Sequence, residues 1–124
     1  MGRSHPEDDL QRVVAKYLDR MGWLWCHVPN GGSRRRIEAA ILKGLGVKRG
    51  VPDILIFERW SSEKGTGHGV AIELKSARGR VREEQNDWLI ALAARGWQSR
   101  VCRTLDEVIE VCELVDPCRR NAAS

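Results

Sequence analysis

Two charged segments set into apolar ones constrain this chain most. Gly50-Val51-Pro52-Asp53 leads into Ile54-Leu55-Ile56-Phe57, and Val70-Ala71-Ile72-Glu73-Leu74-Lys75 is a second apolar run that carries an acid and a base. Charges inside an apolar strand pair are costly unless paired or bound to a cation. If 51–57 and 70–75 pair antiparallel with Asp53 opposite Glu73, the turn falls near Glu63, inside the polar stretch 61–69. Alternation along a strand puts Glu73 and Lys75 on one face, with Ile72 and Leu74 on the other. Opposed carboxylates repel. A hard divalent cation between them removes that repulsion, and two acids with a lysine suffice to hold such a cation beside a phosphodiester. An aspartate at a strand start is also an ordinary turn residue, and Glu-x-Lys an ordinary solvated face. The residues alone therefore leave both a metal or phosphate site and a plain structural role open.

The rest of the chain supplies a frame for this hairpin. With 124 residues it has room for one modest core. We expect a single domain over 1–116 and a flexible tail over 117–124. Ser4-His5-Pro6-Glu7 has the form of a capping box, and Leu10, Val13, Val14, Tyr17 and Leu18 follow at helical spacing to a stop at Gly22. A short strand is expected over 23–28, a loop at Pro29-Asn30-Gly31-Gly32, and a second helix over 33–43. The segment 61–69 reads as a polar, glycine-rich loop. A third helix is predicted over 83–95 with Gln85, Trp88, Leu89 and Leu92 on one face, then a strand over 98–103. Thr104-Leu105-Asp106-Glu107 opens a last helix as a second capping box. The predicted order is α-β-α-β-β-α-β-α, an α/β fold with a small mixed central sheet flanked by helices.

The formal net charge of +4 favours a polyanionic partner without requiring one. No apolar run is long enough to span a bilayer, and the polar start Met1-Gly2-Arg3-Ser4 does not read as a signal peptide, so no membrane partner is expected. Cys26, Cys102, Cys112 and Cys118 lack CxxC spacing, which argues against a zinc site or disulfide framework. They read as reduced cysteines of a cytoplasmic protein, in a bacterial or phage-infected cell, with the first three packed in the core.

Pro52-Asp53 followed by Glu73-Leu74-Lys75 resembles the motif of the PD-(D/E)xK nuclease superfamily. More narrowly, the chain resembles the virus-type replication-repair nuclease domain, VRR-NUC. The resemblance runs from Glu7 and Leu10-Gln11 through Asn30-Gly31, Gly50-Val51-Pro52-Asp53, Ile72-Glu73-Leu74-Lys75 and Gln85 to Gly96. It implies a restriction-endonuclease-like core. Asp53, Glu73 and the Leu74 backbone carbonyl would ligate Mg²⁺, for which Mn²⁺ would substitute. Glu7, or Asp8 beside it, would act through a water or a second metal. Lys75 would orient or help deprotonate the attacking water, and Gln85 would hydrogen-bond the lysine, the water or the phosphate. The implied reaction is phosphodiester hydrolysis that leaves 5′-phosphate and 3′-hydroxyl ends. Stand-alone relatives form homo-oligomers and act on branched DNA, so a homodimer or higher homo-oligomer cutting branched or Holliday junction-like DNA is implied.

Three basic clusters fit such a substrate: Arg34-Arg35-Arg36, Lys48-Arg49 just before Asp53, and Arg78, Arg80 and Arg82 just after Lys75. Asn30 lies in a glycine-rich segment whose amides can approach a phosphate. Each is equally the composition of a solvated face or turn. Of five tryptophans, Trp60 falls at a loop edge where it could stack a base, whereas Trp23, Trp25, Trp88 and Trp97 read as core or interface. Two alternatives stay open: a flap- or end-directed nickase or exonuclease using the same residues, and a non-catalytic DNA-binding module.

Overall fold

The computed structural model describes residues 6–29 and 36–117, with the side chains of 36 and 37 outside the description. The Ser4 end of the first capping box, Asn30, Gly31, Gly32, Ser33, Arg34, Arg35, Cys118 and the tail from 118 lie outside the described residues. The elements are α1 (Pro6–Met21), β1 (Trp25–His27), α2 (Arg36–Gly44), β2 (Ile54–Ile56), β3 (Trp60–Ser62), β4 (Gly65–Gly67), β5 (Val70–Leu74), α3 (Glu83–Ala93), β6 (Gln98–Cys102) and α4 (Leu105–Cys112).

Four strands form one mixed sheet in the order β1-β2-β5-β6. β2 runs antiparallel to both of its neighbours, β1 and β5, and β6 runs parallel to β5 after the α3 crossover. β5 is buried along its whole length, so both of its faces are covered. Val70, Ile72 and Leu74 join Val14 and Leu18 of α1 and Val108, Val111 and Cys112 of α4 in the core. Glu73 has the opposite parity and meets Gln85 of α3. One apolar strand therefore carries core on one face and a buried acid on the other.

α4 begins as its sequence predicts. The Thr104 hydroxyl accepts the Glu107 amide at 3.1 Å, while the Glu107 carboxylate takes the Arg103 amide, one residue earlier than a reciprocal box requires.

Three expectations need correction. The stretch 61–69 contains a second, two-stranded sheet, β3 with β4, pairing Trp60 with Gly67. The Ser62 hydroxyl accepts the Lys64 amide at 3.2 Å and shapes its turn. Gly67 is required there, because a Cβ would collide with the Gly96 carbonyl and the Trp60 indole. Trp60 is consequently buried, its Nε1 donating to the Gly96 carbonyl at 3.1 Å, and is not a base-stacking platform. Cys26 is exposed instead of core because β1 is an edge strand. Cys102 and Cys112 are core residues, and burial pushes both thiols up to about 12.

Candidate active site

The antiparallel register pairs Ile54 with Ile72. Continued by one residue, it sets Asp53 opposite Glu73, at the strand ends where β1, β5 and the start of α3 meet. Asp53 is gripped from two sides. Its Oδ2 accepts the Leu74 amide at 2.7 Å. Its carbonyl accepts the Val28 amide at 2.7 Å and lies 2.9 Å from His27 Nδ1. A carbonyl only accepts, so Nδ1 carries the proton in this contact. The approach to Asp53 is fixed by Gly50, at φ +89°, where a Cβ would lie 2.6 Å from the Glu84 carbonyl oxygen. The Gly50 turn thereby rests directly on the first turn of α3.

The Glu73 side chain is only 3% exposed and its Oε2 lies 3.7 Å from Lys75 Nζ. The same oxygen accepts Gln85 Nε2 at 3.1 Å, and Gln85 Oε1 accepts the Arg82 amide at 2.8 Å. Burial, then the charge and hydrogen bond of Asp53, pushes Glu73 up to about 8. Lys75 pulls it back, and Glu7 adds a smaller upward push. Two carboxylates are thus held together with too little positive charge nearby.

The structure brings Asp53, Glu73, Lys75 and Gln85 into one cluster. Gln85 bonds Glu73, not Lys75, and also the local backbone. Glu7 is exposed on the first turn of α1, near enough for its field to reach Glu73. A Cβ on Gly79 would lie 3.5 Å from Glu7 Oε2. Asp8 is exposed as well. Among the described residues, no three His, Cys, Asp or Glu side chains converge as a metal-binding group. Lys48, Arg49, Arg78, Arg80 and Arg82 are all exposed, on the segments entering Asp53 and leaving Lys75. Asn30, Arg34 and Arg35 lie outside the described residues. Arg36 opens α2, with its side chain outside the description.

Sequence reasoning missed two residues that touch this frame: His27 on the Asp53 carbonyl, and Arg103, whose guanidinium bonds the turn after Lys75. Nothing in a strand-end histidine or arginine announces which backbone it will reach.

A mixed sheet with two acids and a lysine at the ends of adjacent strands defines a PD-(D/E)xK-type α/β domain. The chain belongs to the VRR-NUC domain family, whose model matches residues 5–105. A solved structure titled VRR_NUC domain protein superposes with a TM-score of 0.72 and 28% identity, covering 93% of this chain and 94% of that one. The chain is also 33% identical over 81 residues to a Fanconi-associated nuclease 1 homolog from Oryza sativa subsp. japonica, over 61% of its own length and 8% of that protein's. No helix among the described residues is long and apolar enough to cross a membrane.

Proposed function

We propose that this domain is a divalent-metal-dependent DNA endonuclease that hydrolyses phosphodiesters in branched or otherwise structured DNA. The observation that carries the reading is the buried Glu73 carboxylate, held against Asp53 with Lys75 Nζ 3.7 Å away. A carboxylate nearly sealed from water and facing another acid is a poor structural element and a good cation ligand. Membership of the VRR-NUC family supports the same reading.

The donor set is all oxygen, which suits Mg²⁺ or Mn²⁺. Asp53, Glu73 and the Leu74 carbonyl would hold the ion, with Glu7 contributing from the edge. When bound, the ion polarises a phosphoryl oxygen and lowers the pKa of the attacking water. Asp53 is held in place by the Leu74 amide, so its carboxylate enters the reaction already oriented. Lys75 offsets negative charge developing on the phosphate and orients the water for in-line attack. Gln85 keeps Glu73 Oε2 turned toward α3. Lys48, Arg49, Arg78, Arg80 and Arg82 neutralise flanking phosphates. The unit that acts is residues 1–116, and a homodimer would present two such sites for paired cuts, which sedimentation at micromolar concentration would reveal.

The test is a panel of labelled single-stranded, duplex, flap, splayed-arm and four-way-junction DNAs, bound in Ca²⁺ and incubated with Mg²⁺ or Mn²⁺. Internal cutting of the splayed-arm or four-way-junction member in Mg²⁺ or Mn²⁺ meets the proposal. Cutting only from ends or of the flap alone would replace it with the exonuclease or nickase reading. Tight binding without any cutting would replace it with a binding module.

A further inference from the structure

β5 ends at Leu74, and the chain then makes a tight turn over 76–79, closed by the Gly79 amide donating to the Ser76 carbonyl at 3.1 Å. This turn carries exposed Arg78 and leads to exposed Arg80. A short turn held by one such bond opens readily, and ordering it costs conformational entropy. The turn is not left to that bond. One guanidinium nitrogen of Arg103, Nη1, donates to the Ser76 and Gly79 carbonyls, each at 2.7 Å. Both are charge-assisted bonds, stronger than neutral ones.

Arg103 is itself anchored. Its amide donates to the Glu107 carboxylate, and Glu107 belongs to the Thr104-capped first turn of α4. The preceding residue, Cys102, accepts the Lys75 amide at 3.0 Å. On its other side the turn rests close to Glu7, whose Oε2 would lie 3.5 Å from a Cβ at Gly79. The turn is thus wedged between the start of α1 and the β6–α4 junction, with Arg103 as its clamp.

We infer that Arg103 is a positioning residue: it fixes the 76–79 turn so that Arg78 and Arg80 meet the DNA backbone beside Lys75. This rests on the DNA-directed reading of the site. Both N–H groups of Nη1 serve the turn, and the role inferred for Arg103 runs through the arginines that the turn carries. Fixing them in advance removes an ordering cost that binding would otherwise bear.

The experiment has two arms on the full chain. In the first, hydrogen exchange of the free protein is compared for wild type and Arg103→Ala. Exchange over 76–82 should rise by about tenfold or more while β2 and β5 stay protected. In the second, affinity for branched DNA in Ca²⁺ is measured through a double-mutant cycle. Arg103→Ala should weaken binding by about tenfold, and adding Arg78→Ala and Arg80→Ala to it should cost much less than the same pair costs in wild type. Unchanged exchange over 76–82 overturns the inference, and so does full additivity, which would mean that Arg103 contacts DNA on its own account. If the alanine variant does not fold, Arg103→Lys keeps the charge but loses the planar fork. Faster exchange confined to 76–82 then supports the inference, and wild-type exchange overturns it. A wild-type protein that binds no DNA would sink the proposed function, while the exchange arm would still decide whether Arg103 orders the turn.

Discussion

Gln85 Nε2 donates to Glu73 Oε2 at 3.1 Å while Gln85 Oε1 accepts the Arg82 amide at 2.8 Å, so one side chain caps α3 and orients the buried acid. Gln85→Ala removes both bonds and should cost on the order of 1–3 kcal/mol of stability, read from urea unfolding. Gln85→Glu is the sharper test. It can still accept the Arg82 amide but replaces the donor to Glu73 with a third acid, and an added carboxylate attracts a divalent cation more strongly, so half-maximal Mg²⁺ activation should move to lower metal concentration. An unaltered metal requirement would show that Gln85 does not orient Glu73.

The raised pKa of Glu73 gives a pH dependence with a definite sign. Folded, Glu73 keeps its proton up to about 8, whereas its ordinary value is 4.5. Between those values the folded state binds more protons than the unfolded one. Its contribution to stability is therefore greatest below about 4.5, falls as pH rises, and levels off above about 8. Metal binding needs the carboxylate, so cleavage at limiting Mg²⁺ should increase from pH 6 to about 8. Thermal melts in EDTA across this range, with and without added Mg²⁺, check both. A flat cleavage profile at limiting metal would contradict the role of Glu73 as a ligand.

His27 reaches the Asp53 carbonyl through Nδ1 at 2.9 Å. His27→Ala should lower kcat by about tenfold with little change in KM, because it loosens the backbone that carries Asp53 rather than removing a substrate contact. His27→Asn retains a side-chain donor and should recover part of the loss. Equal kinetics for the three proteins would leave His27 without a role.

Gly50 is the hinge of the approach to Asp53. Gly50→Ala puts a Cβ 2.6 Å from the Glu84 carbonyl oxygen and forces an unfavourable positive φ, so it should destabilise by roughly 1–3 kcal/mol and cut activity. Gly44→Ala, where a Cβ meets nothing within 4 Å, is the matched control, expected near wild type.

Much of this arrangement is legible in the sequence because it rests on local rules. Alternation placed Glu73 opposite in parity to Ile72 and Leu74, and the pairing of Asp53 with Glu73, compatible with the pattern but not forced by it, agrees with the observed register of Ile54 against Ile72. The Thr104 cap was visible as a four-residue pattern. What was not legible depends on contacts between distant segments. Trp60 is buried because Gly67 leaves room for its indole and the Gly96 carbonyl accepts its N–H, and none of the three is adjacent in sequence. Cys26 is exposed because strand order, which no local pattern encodes, puts β1 at an edge. His27 and Arg103 reach backbone carbonyls 26 and 24–27 residues away, targets that only the folded chain defines.

The most direct test of the central claim is cleavage of a labelled branched DNA in Mg²⁺ by wild type and by Glu73→Gln, both first shown to be folded. Glutamine keeps the shape of the buried side chain and can still bond Gln85 and Asp53, but it cannot supply the anionic ligand. Wild type should cut, and Glu73→Gln should lose at least about 100-fold in rate while still binding DNA. Cleavage by Glu73→Gln at the wild-type rate would contradict the claim.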